Sequence, residues 1–199
     1  VSGATETQME SLRQKALQLG ADTAFSAGEA AMAMEELSKS GLSVEEIMNG
    51  AADATVALAA AGEVSLPEAA TIASNAMNQF GLAAEDLPHV ADLIAGAANA
   101  SSISVSDFGM SMAQAGASAK LTGLSFDDMA LAITAMGNAG IKGSDAGTSL
   151  KTFLSGLQPQ TEKQIDLFYD LGLAVESNGT AMNEMGNSFF DANGKVKPM

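Results

Sequence analysis

The chain lacks cysteine and tryptophan and has one histidine in 199 residues; aromatics make up only 5% of it, although hydrophobic residues make up 47%. Without cysteine there are no disulfides and no thiolate metal ligands. His89 alone supplies almost no material for a histidine metal site or a histidine general base. Cations are scarce as well: Lys and Arg number 9 against 24 Asp and Glu, a formal charge of −15. Phosphate contact needs clustered Lys and Arg, so sequence-specific nucleic-acid binding is excluded. No apolar run approaches the ~18–20 residues that span a bilayer. The longest, around Thr55–Ala61 and Met129–Met136, reach half that or less. No signal peptide is visible, since the first twenty residues carry Glu6, Glu10 and Arg13. The chain opens on Val1 and closes on Met199 after a turn-like Gly-Lys-Val-Lys-Pro run, and both ends read as cuts from a longer polypeptide.

Alanine, glycine and methionine take the place of the missing aromatics. Thin side chains let helices approach closely, but each buries less apolar area, at about 25 cal/mol per Å². The expectation is modest stability for this piece, helped by self-association.

Between Ser26 and Leu157 there are fifteen Asp/Glu and four Lys. Ten of the fifteen fall where helices are predicted to begin: Glu29, Glu45, Glu46, Glu68, Glu85, Asp86, Asp107, Asp127, Asp128 and Asp145. Carboxylates there meet the positive end of the helix dipole. Most of the acidity thus has a structural reason before any partner is invoked.

The strongest internal pattern is an apolar residue, a serine, two further positions and an acid. It occurs as Leu42-Ser43 with Glu46, Val64-Ser65 with Glu68, Ile103-Ser104 with Asp107, and Leu124-Ser125 with Asp128. This is the capping box, with the preceding apolar residue able to staple onto Ile47, Ala69, Phe108 or Met129. Ser26 with Glu29 and Thr161 with Gln164 are boxes without so clear a staple. The starts Ser43, Ser65, Ala84, Ser104, Ser125 and Ser144 lie 22, 19, 20, 21 and 19 residues apart. Ala84 is degenerate, and Asp86 before Leu87-Pro88 caps in its place. Gly41, Gly62, Gly81, Gly123 and Gly140 sit where a left-handed terminal residue belongs.

The resulting fold class is all-α: a compact array or bundle of about eight or nine short helices, with a small β-hairpin near the C-terminus. The helices are predicted over 5–19, 26–39, 44–60, 66–79, 87–99, 105–118, 126–138, 145–156 and 162–171, with Gly50 breaking the third. Residues 1–25 read as an N-terminal helix and linker, 26–171 as the Ala/Gly-rich helical module, and 172–199 as a turn and hairpin segment. Within the last, Leu173–Val175 reads as a strand, Glu176–Gly179 as a turn, and Ser188–Val196 as strand, turn and strand. The near-constant period fits either an ancestral repeat or the natural length of a helical hairpin.

No catalytic, cofactor-binding or metal-ligating residue is assigned, and the chain reads as non-enzymatic. Gly140-Ile141-Lys142-Gly143-Ser144 has phosphate-loop ingredients in the wrong order and without a preceding strand. Asp191-Ala192-Asn193-Gly194 resembles the start of a calcium loop, but the bidentate Glu would fall beyond Met199. Asp127 and Asp128 are adjacent on a helix and point apart, which does not suit paired acid–base work. His89, after Pro88 near a helix start, reads as a solvent-facing or capping residue. Met32, Met34, Met48, Met77, Met110, Met112, Met129 and Met136 fall inside predicted helices and read as core. Gly96–Ala100, Gly109–Ala113 and Ala135–Ala139 repeat small residues four apart, a spacing that permits close helix contact.

The stretch Ala100–Leu154 resembles the core of the tape-measure proteins of long-tailed phages and prophages of Gram-positive bacteria. The resemblance is carried by Ser102-Ile103-Ser104 with Phe108-Gly109-Met110, by Ala115-Gly116, and by Gly123-Leu124-Ser125 with Asp127-Asp128 and Ala130. It continues in Asn138-Ala139-Gly140-Ile141-Lys142-Gly143-Ser144 and Ala146-Gly147-Thr148-Ser149-Leu150-Lys151. Met34–Leu37 through Gly41, Ser43–Ala61, Ala69–Gly81 and Phe190–Pro198 are similar too. The ordered set is specific where each short piece is weak.

The resemblance implies a structural role in tail assembly, length determination and genome delivery, with no cofactor. It places the protein in the tail lumen of the virion, and in the host cytoplasm during assembly. The implied partners are further copies of itself (a trimer or hexamer), tail-tube and tail-tip proteins, an assembly chaperone, and the host envelope during ejection. A ruler needs extended helix at 1.5 Å per residue, whereas glycine interrupts this chain about every twenty residues and continuous heptads are missing. The segment is therefore expected to be a compact module instead of the ruler rod. Spacing alone would equally fit a cellular all-helical scaffold or interaction module with no phage role.

Overall fold

The computed structural model describes residues 4–156 and, beyond them, 163, 166–167, 170, 175–177 and 180–182. The helices are α1 Glu6–Asp22, α2 Ala27–Lys39, α3 Val44–Glu46, α4 Ala52–Gly62, α5 Leu66–Phe80, α6 Leu87–Ala100, α7 Val105–Leu121, α8 Phe126–Asn138 and α9 Gly143–Gly156. A wide turn, Ile47–Ala51, joins α3 to α4; in it Gly50 has φ +134°, so the predicted break falls at that glycine. With α3 and α4 taken as two halves of one interrupted rod, eight rods follow one another, as the capping pattern predicts. The longest have 17 residues, about 25 Å at 1.5 Å per residue.

The starts are built as read. Ser26, Ser43, Ser104 and Ser125 each accept from the amide three residues on, and Glu29, Glu46, Asp107 and Asp128 accept in return from the serine amides. Thr5 and Gln8 form a further box ahead of α1. At Ser65 only half the box closes, because the Glu68 carboxylate turns away to accept from Ser106 on α7. Asp86 stands at the N-cap of α6 but makes no side-chain bond to that helix; its carboxylate instead accepts from the amide of Ala83 at 2.9 Å, closing the short turn Ala84–Asp86 ahead of it. The stapling partners Ile47, Ala69, Phe108 and Met129 are all fully buried.

The stops share one geometry. The amides of Leu42, Val64, Leu82, Leu124 and Ile141 each donate to the carbonyl five residues back, at 2.9–3.2 Å. This is the longer bond of the Schellman closure, with an apolar residue just after the left-handed one. Gly41, Gly81, Gly123 and Gly140 take positive φ as predicted. Gly62 does not: the left-handed residue is Glu63, at φ 52°. Gly62 is instead pressed against Val105, where a Cβ would overlap the valine side chain. At that corner glycine serves packing, and the turn moved one residue on.

The helices stack in two rows. In one, α2 packs on α5, α5 on α7 and α7 on α9; in the other, α4 packs on α6 and α6 on α8. Consecutive helices form the hairpins that join the rows. Side chains record the stacking at a fixed interval: Lys15–Asp53, Asn78–Ser40, His89–Asp127 and Ser106–Glu68 are each 38 residues apart. Lys120 and Lys142 donate to the carbonyls of Phe80 and Ser102, each 40 residues back. Two helical units of about twenty residues thus make one structural repeat, and α1 joins the second row through Lys15. Each layer touches chiefly its neighbours, as in solenoid arrays.

The core runs between the rows. Phe126 on α8 meets Phe80 on α5 edge-to-face at 5.5 Å and Phe108 on α7 at 6.1 Å. Met34, Met77, Met112 and Met129 are buried beside alanines. Met32 and Met110, read as core, are 50% and 48% exposed. Each lies two residues from a buried methionine on its own helix, Met34 on α2 and Met112 on α7, and so points to the opposite, outer face.

Strands β1 Val175–Ser177 and β2 Thr180–Met182 pair antiparallel, Ser177 opposite Thr180. Val175 of the strand read over 173–175 lies in β1, and Glu176 and Ser177, read as the start of the turn, continue that strand; residues 173–174 and 178–179 lie outside the described residues. The hairpin read over 188–196 and the Thr161–Gln164 box lie outside the described residues. So does most of the helix over 162–171, of which Lys163, Asp166, Leu167 and Asp170 are helical.

Candidate contact surface

The run that carries most of the sequence signature, Ala139–Ser144 with Ala146-Gly147, forms the corner where α9 docks on α7. Gly140 and Gly143 adopt φ +85° and +56°, turning the chain twice within four residues. The Ser111 hydroxyl donates to the Gly143 carbonyl at 2.7 Å and to the Asp107 carbonyl at 2.9 Å. Gly147 then lies against the Ser111 carbonyl. Lys142 reaches the Ser102 carbonyl, while the Ser102 hydroxyl donates to Gly137 at 2.9 Å. The phosphate-loop ingredients are consumed by this corner: the lysine is committed to a carbonyl, and the glycines set turn and contact geometry.

The small-residue spacings behave differently from expectation. Gly109 meets Ile72 of α5, but Ala113 is exposed, as are Gly96, Ala100, Ala135 and Ala139. The seam that does bring helices together is Gly109 and Gly116 against Ile72 and Gln79, and Gly147 against Ser111 and Gln114. Two of its glycines are seven apart on α7, two turns along one face. That spacing was readable in the sequence.

The remaining candidates are placed apart. His89 Nε2 lies 2.9 Å from Asp127 Oδ1, with both side chains more than half exposed. Neighbouring Asp128 caps Ser125 instead, so the two aspartates do point apart. Asp191–Gly194 lies outside the described residues. Among the described residues no group of three His, Asp or Glu side chains is gathered as a metal site would require.

What the array offers is surface. Residues 41–119 contain no Lys or Arg and nine carboxylates. Arg13, Lys15, Lys39, Lys120 and Lys142 are each engaged by a carboxylate or a carbonyl of the chain itself, while the exposed Lys151 has no such partner among the described residues. Hydrogen bonds from the Ser26 amide and hydroxyl hold Glu29 below the usual carboxylate range. The Ser43 and Ser125 hydroxyls, then their amides, do the same for Glu46 and Asp128. Apolar side chains stand out at both ends of the stack. A groove of about 450 Å³ between α1 and α2 is lined by Met9, Leu12, Ala16, Leu17, Ala31 and Met34. On α8 and α9, Leu131 and Phe153 are 70% and 59% exposed.

Comparison with known proteins places this architecture. The family model for phage-related minor tail proteins matches residues 13–199. The tape measure protein of Pneumococcus phage Dp-1 is 36% identical over 199 residues, all of this chain and 16% of that protein. The probable tape measure protein of Escherichia phage P2 is 31% identical over 189 residues, 92% of this chain and 23% of that protein. The second relative extends the resemblance beyond phages of Gram-positive hosts. The chain thus spans less than a quarter of the length of each of these relatives. No solved structure gives a significant match. A family match over nearly the whole length leads to one assignment: the chain belongs to the family of phage-related minor tail proteins.

Proposed function

We propose that this chain is a non-enzymatic, compact helical module of a phage tail tape-measure protein, acting by contact during tail assembly and genome delivery. The observation that carries the reading is the 36% identity to a named tape measure protein across the entire chain. The cellular-scaffold alternative is dropped because both relatives named above are phage tail proteins. The short stacked rods support a module distinct from the length-setting rod, since a ruler needs unbroken helix. On this reading the module sits in the tail lumen and, earlier, in the host cytoplasm. Its partners are further copies of the protein, tail-tube or tail-tip proteins and an assembly chaperone.

Small-angle scattering of the isolated chain tests the module. The expected profile is that of a stubby particle; a rod-like profile with a long maximum dimension overturns it. In a phage encoding the full protein, in-frame removal of this segment is expected to block tail assembly. Viable phage with tails shortened in proportion to the residues removed would make the segment part of the ruler instead.

A second reading, contact with the host envelope at ejection, draws on a bent pair, Val44–Gly62 with Leu66–Phe80, apolar enough together to enter a bilayer. No single helix among the described residues is long and apolar enough to cross one. In the array both helices lie in the core, so entry requires the stack to open. Flotation with liposomes tests it; failure to associate at any lipid composition removes this reading and leaves the first intact.

A further inference from the structure

A second groove, of about 570 Å³, lies between the α1–α2 turn and the C-terminal end of α4, lined by Phe25, Val56, Ala57, Ala60 and Val64. Asp22 on one wall and Glu63 on the other flank it with exposed carboxylates. The nearby Asp53 is already paired with Lys15 at 2.8 Å. Asp22 and Glu63 have no ion-pair or side-chain hydrogen-bond partner among the described residues, and residues 41–119 offer no cation.

Glu63 is also held where a side chain is costly. It is the one non-glycine residue at positive φ among the described residues, while the matching stops at Gly41, Gly81, Gly123 and Gly140 use glycine. A left-handed residue with a Cβ destabilises the native state relative to glycine. The carboxylate therefore stands beside an apolar groove at a cost to the fold, with no partner among the described residues to offset it.

We propose that this groove docks an amphipathic helix of a different protein, its apolar stripe on Phe25, Val56 and Val64 and its flanking Lys or Arg side chains on Asp22 and Glu63. A second copy of this chain is a poor occupant: the chain carries −15, with 9 Lys and Arg against 24 Asp and Glu. Like charge opposes such pairing, and opposite charge selects the partner. The inference concerns the surface of this module and does not rest on its place in the tail.

The test uses two labelled synthetic helices with the same Leu/Ala stripe, one flanked by lysines and its twin by glutamates, titrated against the intact chain. The lysine helix is expected to bind, with backbone NMR shifts confined to 22–25 and 56–64, and to weaken as salt is raised. The twin is expected to bind at least about tenfold more weakly, through lost charge complementarity. Glu63→Gln is expected to weaken the lysine helix without raising the melting temperature. Glu63→Gly is expected to weaken it while raising the melting temperature, a pairing that a purely structural role for Glu63 does not produce. Equal binding of the two helices, shifts mapping elsewhere, no binding, or a homodimer of the chain seated on this groove would each overturn the proposal.

Discussion

Gly147 of α9 lies against the backbone carbonyl of Ser111 on α7, so close that a Cβ at residue 147 would overlap that oxygen and the Gln114 side chain. Backbone cannot be repacked as a side-chain tip can, so the contact requires glycine. Gly147→Ala is expected to destabilise the chain by roughly 1–3 kcal/mol, the range for overpacking a filled interface. Gly96 on α6 has nothing within 4 Å of a built Cβ and does not require φ > 0. Gly96→Ala should therefore stabilise by about 0.5–1 kcal/mol through the unfolded chain. Urea melts of the two variants check both signs; equal effects would show that α9 is not seated as described.

The Ser111 hydroxyl is fully buried and ties α7 to the α9 corner through Gly143. Ser111→Ala leaves that carbonyl without its donor and should cost about 1 kcal/mol. Paired with Gly147→Ala in a double-mutant cycle, the two effects are expected to be less than additive, because both loosen one junction.

Glu63→Gly is expected to raise stability by about 1 kcal/mol, since the left-handed conformation at φ 52° is free of strain only without a Cβ. Gly62→Ala, one residue earlier, should do the reverse through Val105. Thermal melts of the two neighbours separate the residue that turns the chain from the residue that lets α7 approach.

The serine boxes make stability depend on acid pH. Glu29, Glu46 and Asp128 are held below the ordinary carboxylate range by the serines they cap. A carboxyl with a lower folded than unfolded pKa favours the folded state above its ordinary value of about 4. That contribution is lost as pH falls through the folded value. The gap in melting temperature between the wild type and Ser43→Ala should therefore be widest near neutral pH and narrow below about pH 4. A gap independent of pH would mean that Glu46 takes no part in the cap.

Because each layer touches chiefly its neighbours, protection should follow position in the stack. Amide exchange is expected to be slowest in α5, α6 and α7, which have layers on both sides, and fastest in α1. Uniform protection would indicate one indivisible unit in place of stacked layers.

The elements were legible because their signals are local. A serine with an acid three residues on, and a glycine followed by an apolar residue, each act within one turn of helix, so Ser43, Ser104 and Ser125 begin helices where the pattern places them. The family signature is equally a property of order along the chain. The use made of that signature was not legible: Lys142 reaching Ser102, and Ser111 holding Gly143, join residues 40 and 32 apart. Such pairs depend on which helix lies beside which. The same holds for Gly62, whose role belongs to Val105 on another layer, and for Met32 and Met110, whose helical spacing does not say which face meets solvent. Sequence alone thus determined where the serine-capped helices start, and the stops at Gly41, Gly81, Gly123 and Gly140, since capping is decided by hydrogen bonds among near neighbours. Only the tertiary structure decided the two-row stacking, the glycine seam and the position of the grooves, because these arise from burial between segments about 38 residues apart.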